Sequence, residues 1–211
     1  MLNSRRVRVL LADDHVLVAA GLAKLLEDDF EVLGIRNDGR EAVDAACQER
    51  PDVVVLDISM RNLNGLEAAR QIKAARPETK IVFITVHADL AYVAAAFRGG
   101  ASGYVLKGSA SSELREAIYQ ALSGNRFLTP LISQEALDEV LSHPSQSLSL
   151  TPRQREILQL VAEGHSAKTI GYGLHISAKT VEFHKAEIMK KLKLHSVAAL
   201  TRYAIEHGIS A

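Results

Sequence analysis

Three carboxylates, a hydroxyl and an amine stand where this chain could use them together. Asp13 and Asp14 follow VRVLLA, Asp57 follows VVVL, Thr85 closes KIVFIT and Lys107 follows GYVL. Carboxylates crowded together repel one another and hold their protons more tightly unless a cation neutralises them. Mg2+ favours a small set of oxygens, a few carboxylates completed by water and phosphate oxygens. With such an ion bound, Asp57 would stay ionised and could attack a phosphoryl group as a nucleophile. Lys107 would supply a point charge to the acyl phosphate, and the Thr85 hydroxyl a donor to a phosphoryl oxygen. The chemistry expected is transfer of a phosphoryl group onto a carboxylate.

These groups meet only if the apolar runs before them are strands that end at one edge. Val53–Leu56 is a continuous apolar run with three β-branched residues, as in a strand buried on both faces of a parallel sheet. Val7–Ala12, Glu31–Ile35, Lys80–Thr85 and Gly103–Leu106 read as further strands. Helical spacing falls between them, over Val16–Leu26, Gly39–Glu49, Leu66–Ala75, Leu90–Arg98 and a segment N-capped by Ser111 or Ser112 and closed by Gly124. Strands alternating with helices predict a five-stranded parallel doubly wound sheet, and right-handed crossovers bring the strand ends to one edge. Ligands of such sheets bind at that edge.

The totals exclude several other readings. At 211 residues the chain has room for two small domains. No apolar run approaches the roughly 18 residues that span a bilayer, so no membrane partner is expected. The one cysteine, Cys47, cannot form an internal disulfide and is expected to be inert core or partial surface. Both points suit a cytoplasmic protein. The eight histidines lack metal-ligand spacing, which sets metal–histidine chemistry aside. The net charge of zero hides an asymmetry: residues 149–211 carry nine Lys/Arg against five Asp/Glu. The basic end is the one to inspect for a polyanion partner.

That end reads as a four-helix, all-α module. Thr151, Pro152 and Glu156 mark a helix start, and Gly164 a stop. A short helix Ala167–Leu174 follows Ser166, and after a turn Ser177 opens the long helix Ala178–Leu192. Two helices joined by so short a turn are a helix-turn-helix candidate. Val181, His184, Ile188 and Leu192 form one buried stripe of the long helix. The opposite side carries Lys179, Thr180, Glu182, Phe183, Ala186 and Lys190. Phe and Ala can contact a thymine methyl, Glu can accept from cytosine, and Lys can reach guanine or phosphate. Lys168, Lys185, Lys190 and Lys191 surround this set and could hold a DNA backbone. On pattern alone, a helical bundle that binds protein remains open.

LADDH at 11–15, VVVLDISM at 53–60, IVFIT at 81–85 and GYVLK at 103–107 resemble the receiver domain of bacterial two-component response regulators over about residues 6–124. LTPRQREILQLVAEG, ISAKTVEFHKAEIMKKL and the Ser196–His207 segment resemble the LuxR-type helix-turn-helix over 149–211. Together the two are similar to the NarL/FixJ class. The resemblance implies Asp57 as phosphoacceptor, Asp13 and Asp14 as the acidic metal pocket, and the Ser59 backbone carbonyl as a further Mg2+ ligand. It implies Thr85 and Lys107 as switch hydroxyl and phosphate-binding lysine, and Tyr104 as the aromatic whose rotamer follows the phosphate. Implied partners are a cognate histidine kinase, operator DNA with paired half-sites, a second copy of the chain when phosphorylated, and RNA polymerase. The expected role is a transcription regulator, not an enzyme. The domains expected are a receiver at 1–124, a linker with a short helix Ser133–Leu141 at 125–148, and a DNA-binding domain at 149–211.

Two departures from the family pattern stand out. Arg61 occupies the position after Asp57-Ile-Ser-Met where receivers usually carry proline, which would alter phosphoryl lifetime or kinase docking. Gly173 lies in the short helix, at a cost of roughly 1 kcal/mol against Ala. Two rival functions remain open: a regulator working by protein contact without phosphate, and a Mg2+-dependent phosphatase tethered to a second domain. The coupling expected between the domains is that the unphosphorylated receiver masks the long basic helix or prevents two modules from pairing.

Overall fold

A computed structural model describes residues 5–142, 150–207 and 209–210. In chain order the first unit runs β1 (Arg8–Ala12), α1 (Val16–Leu26), β2 (Glu31–Arg36), α2 (Gly39–Glu49), β3 (Val53–Leu56) and α3 (Gly65–Ala75). It continues with β4 (Lys80–Thr85), α4 (Leu90–Arg98), β5 (Gly103–Leu106), α5 (Ala110–Leu122), β6 (Phe127–Leu128) and α6 (Gln134–Ser142). All pairings are parallel, and the sheet order is β2-β1-β3-β4-β5-β6.

Strand side chains alternate between faces, and here each face has its own core. Leu10, Val54, Leu56, Ile81, Phe83 and Tyr104 pack on the side of α2, α3 and α4. Val9, Leu11, Val53, Val55, Val82, Ile84 and Val105 pack on the side of α1 and α5. Burial on both sides explains why these strands read as unbroken apolar runs. Short polar residues start the helices: Asp38, Asn64 and Asp89 side chains accept from the first-turn amides of α2, α3 and α4.

The sheet has a sixth strand where the sequence suggested linker. Phe127–Leu128 pairs with β5, Gly103 opposite Phe127 and Tyr104 opposite Leu128. Two residues are too few to show a period, so the sequence signal was absent. Helix α6 then packs against α4; Leu137 from the helix and Ile132 from the turn before it enter the core of that face. The stretch to Ser142 is thus an extension of the first unit, and the His143–Ser147 part of the expected linker lies outside the described residues. Helix α5 also starts differently: it emerges at Ala110 from a 3-10 turn at Lys107–Ser109, with no side-chain cap at Ser109.

The second unit has four helices, α7 (Pro152–Ala162), α8 (Ala167–Gly173), α9 (Ala178–Leu192) and α10 (Val197–Glu206). Thr151 and Gln154 form a reciprocal capping box on α7, so the partner of Thr151 is Gln154 and not Glu156. Ser166, Ser177 and Ser196 cap the other three. Ile157, Leu158, Ile170, Val181, Ile188, Leu200 and Ala204 fill a core separate from those of the sheet. At Gly171 a Cβ would lie 2.7 Å from the Ile176 carbonyl oxygen, so the close crossing of α8 with the turn needs glycine there. Among the described residues no helix is long and apolar enough to cross a membrane.

Candidate functional site

The hydrogen-bond ladder runs one residue past each strand end and sets the acids side by side. The Asp57 amide donates to the Ala12 carbonyl at 2.8 Å, and the Asp13 amide to the Arg36 carbonyl at 3.0 Å. Ligand atoms of Asp13, Asp14, His15 and Asp57 all lie within 4.8 Å of one another. Lys107, from the end of β5, reaches across with its Nζ 2.8 Å from Asp13 Oδ2 and 2.8 Å from Asp57 Oδ2. Asp57 is only 2% exposed, and its Oδ1 accepts the Ile58 amide at 2.7 Å.

The electrostatics follow from this crowding. Burial pushes the Asp57 carboxyl above its ordinary range, and Lys107 only partly opposes it. Burial pulls the Lys107 ammonium down, but the hydrogen bonds and charges of Asp13 and Asp57 override it and hold it above its usual value. Asp13 Oδ2 and Asp14 Oδ1 are buried acceptors without an aligned hydrogen-bond donor. Lys107 Nζ lies 2.8 Å from Asp13 Oδ2, and His15 Nδ1 lies 2.9 Å from Asp14 Oδ1. Clustered carboxylate oxygens in need of a cation are a donor set suited to Mg2+. His15 is the member that histidine spacing did not reveal, because its neighbours are carboxylates and not other histidines.

Thr85 and Tyr104 are both fully buried beside this pocket, and one residue joins them. The His87 amide donates to Thr85 Oγ1 at 3.3 Å, while the Tyr104 hydroxyl donates to the His87 carbonyl at 2.9 Å. Burial is the main cause that raises the Tyr104 phenol above its ordinary value, so it remains a donor. The His87 ring shares a 2.7 Å hydrogen bond with Ser59 Oγ and stacks on Tyr92 at 4.1 Å. His87 carries no motif of its own in the sequence. Arg61 is 86% exposed, with Nε 4.0 Å from Asp14 Oδ2, so it faces the acidic pocket only loosely.

In the second unit α9 presents Lys179, Glu182, Phe183, Ala186 and Lys190 to solvent, with Phe183 63% exposed. Lys168 on α8 is also exposed. Thr180 stands in the first turn of α9, its hydroxyl 2.8 Å from that of Ser177, and Lys185 pairs with Glu182 at 3.2 Å. Lys191 is turned inward, donating to Gln154 Oε1 at 2.9 Å, so it links α9 to α7 in place of facing outward with the other lysines. His184 is half-buried beside Phe183. The receiver does not mask this face. The first unit instead holds α7 and the segment after α10, through Glu67–Arg155 at 2.9 Å, Gln71–Glu156 at 2.9 Å and Asn64 to the Ile209 carbonyl at 3.0 Å. Cys47 is exposed and free.

Comparison with known proteins agrees with both halves of this geometry. Residues 9–119 match the response regulator receiver domain, and residues 148–204 match the bacterial regulatory proteins of the luxR family. The chain is 35% identical over 211 residues to the oxygen regulatory protein NreC of Staphylococcus carnosus, covering 95% of this chain and 97% of that one. It is 36% identical over 208 residues to the response regulator UvrY of Escherichia coli, covering 96% and 95%. A solved structure of RcsB from Salmonella enterica serovar Typhimurium, bound to the promoter rprA in the presence of the phosphomimetic BeF3-, matches with a TM-score of 0.62 at 27% identity. That match covers 93% of this chain and 98% of RcsB.

Proposed function

The chain belongs to the two-component response regulators that join a receiver domain to a LuxR-type DNA-binding domain, and from that premise we propose how its residues divide the work. It is a regulator of transcription. The phosphoacceptor is Asp57, with a histidine kinase as donor. An Asp57 carboxylate oxygen attacks phosphorus in line, the new O–P bond forms, and the P–N bond to the kinase histidine breaks, its electron pair staying on the imidazole. Lys107 holds the negative charge gathering at the transferred group, and Thr85 offers its hydroxyl to a phosphoryl oxygen. Tyr104 answers that movement through His87. Asp13, Asp14, Asp57 and the Ser59 carbonyl would hold Mg2+. Bound there, the ion would neutralise the carboxylates and polarise the phosphoryl oxygens. The observation that carries this reading is a carboxylate only 2% exposed, held 2.8 Å from a lysine within a cluster of three acids.

The output is specific binding of double-stranded DNA through α9, with Glu182, Phe183, Ala186 and Lys179 at base edges. Thr180, Lys168, Lys185 and Lys190 lie against the backbone. A phosphorylated pair of chains would read paired half-sites and meet RNA polymerase, in the cytoplasm. The receiver extends through α6, beyond residue 124, and the DNA-binding domain occupies 149–211. Intact-mass measurement after incubation with acetyl phosphate and Mg2+ tests the chemistry. A single phosphoryl adduct lost in Asp57→Asn is expected; an adduct retained in that variant refutes the assignment.

A further inference from the structure

The side chain of Gln159, on α7 of the DNA-binding unit, is only 1% exposed because it lies in the loop that follows the phosphoacceptor. Its Oε1 accepts the Asn64 amide at 2.8 Å, and its Nε2 donates to the Met60 carbonyl at 2.9 Å and to Glu163 at 2.8 Å. One side chain from the output domain thus grips the loop at two points, on either side of Arg61.

That loop has little slack. The Ile58 amide is tied to the Asp57 carboxylate at 2.7 Å, and the Gly65 amide to the Ile58 carbonyl at 2.9 Å. Asn64 is at once the cap of α3, its Oδ1 accepting the Glu67 amide at 2.9 Å, and a donor to Ile209. A shift at Met60 or Asn64 is therefore passed to Ser59 and Asp57, and a shift at Asp57 is passed back. Further polar contacts run along this seam. Glu67 takes Arg155 and Arg70, and Glu156 takes Gln71 at 2.9 Å and Arg40 at 3.5 Å. Groups that regain water on separation give such an interface little net stability, so it is held closely enough to be ordered and weakly enough to be switched.

We propose that Gln159 is a positioning residue for the phosphoacceptor loop, so that docking of α7 and phosphoryl loading of Asp57 oppose each other. The proposal rests on Asp57 as phosphoacceptor. Loading adds about −1.5 to −2 charge and three acceptor oxygens at Asp57, which the loop must accommodate by moving. The two Gln159 hydrogen bonds are satisfied only in the docked geometry, so movement forfeits them. Linkage makes the effect reciprocal: the factor by which docking weakens phosphoryl loading is the factor by which loading weakens docking.

The test uses the full chain. Gln159→Met removes both loop contacts at similar volume, whereas Gln159→Glu keeps an acceptor for Asn64 and loses the donor to Met60. Labelling by acetyl phosphate with Mg2+ is followed by intact mass. Domain separation is read independently from spin labels on the exposed native Cys47 and on Arg202→Cys. Gln159→Met should label roughly 5-fold faster or more, the low end of measured couplings between sites, with the separated population raised. Gln159→Glu, which sets a buried carboxylate against the Met60 carbonyl and Glu163, should move both readouts at least as far. Should Gln159→Met fail to fold, Gln71→Ala weakens the same docking from the receiver side and should move both readouts the same way. Equal or slower labelling with the domains separated, or faster labelling with separation unchanged, overturns the proposal. Labelling in Asp57→Asn would instead overturn the assignment of the phosphoacceptor.

Discussion

Gly65 offers a test of how tightly Asp57, the proposed phosphoacceptor, is framed. It is the first residue of α3, and a Cβ built on it would lie 1.9 Å from the Asp57 carbonyl oxygen and 3.1 Å from the Ile58 Cα. Both obstacles are backbone, so no side chain can rotate away. Gly65→Ala must push α3 or the end of β3 aside by on the order of 1 Å, and displacements of that size cost about 100-fold in rate where reacting groups must be aligned. Forcing an extra methyl into a packed site also costs typically 1–3 kcal/mol of stability. Gly173 is the matched contrast: nothing lies within 4 Å of a Cβ built there, so Gly173→Ala should stabilise the chain by up to roughly 1 kcal/mol. Urea denaturation gives both stabilities, and acetyl phosphate labelling with Mg2+ gives the rate. Gly65→Ala with stability within about 0.5 kcal/mol of the wild type and an unchanged labelling rate would refute the reasoning, because the close approach of α3 to Asp57 would then not exist.

The remaining predictions concern charge and DNA. Asp57 keeps its proton above the ordinary carboxylate range when folded, so the folded chain binds more protons than the unfolded one in that window. Stability is then lost as pH rises from about 4 through the raised value, and Asp57→Asn should gain urea resistance at neutral pH, an advantage that closes toward acid. Glu182→Ala and Phe183→Ala should each relax specificity at one base pair by about 1–3 kcal/mol, whereas Lys168→Ala should weaken binding to every sequence and lower the salt slope by about 1. Lys191→Ala should act on stability, since it removes the bond to Gln154 at a cost of about 1 kcal/mol; an altered salt slope with unchanged stability would return Lys191 to the DNA face. A fragment of residues 149–211 should bind a single half-site no more tightly than the unphosphorylated full chain, because Phe183 is already exposed; markedly tighter binding by the fragment would show that the receiver does mask α9.

Much of the pocket was legible because two simple patterns coincide in it. Val53–Leu56 and its sister strands read as buried apolar runs, and a parallel sheet with right-handed crossovers has to deliver the polar residue after each run to the same edge. What the pattern missed lacks either period or composition. Phe127–Leu128 is too short to alternate, yet it completes the sheet. His15 and His87 gain their roles from neighbours distant in sequence or of another residue type, the carboxylates in one case and Ser59, Thr85 and Tyr104 in the other. Gln154, Glu156 and Gln159 look like the solvated face of an amphipathic helix, but each is nearly buried, by contacts within its module and against the receiver. A buried polar side chain satisfied by another domain has no signature in its own segment.

The placement of that polar seam shifts where control must act. A receiver that covered α9 would switch DNA binding by steric exclusion, and the recognition face would be buried; here it is exposed while α7 and the chain around the end of α10 are held. Tyr92, stacked on His87, donates its hydroxyl to the Ile205 carbonyl of α10 at 3.3 Å. The same histidine is bonded to Ser59 beside the acidic pocket and to the Tyr104 hydroxyl. Rearrangement around Asp57 therefore has two physical outlets into the output domain, one through Met60 and Asn64 to Gln159, the other through His87 and Tyr92 to α10. Both lead to helices other than α9, the proposed base-reading helix, and α10 leaves Val197 and Ile205 half-exposed. On the proposed reading, what such a device governs is the freedom of two output domains to approach each other on paired half-sites, since the outward face of α9 is already exposed.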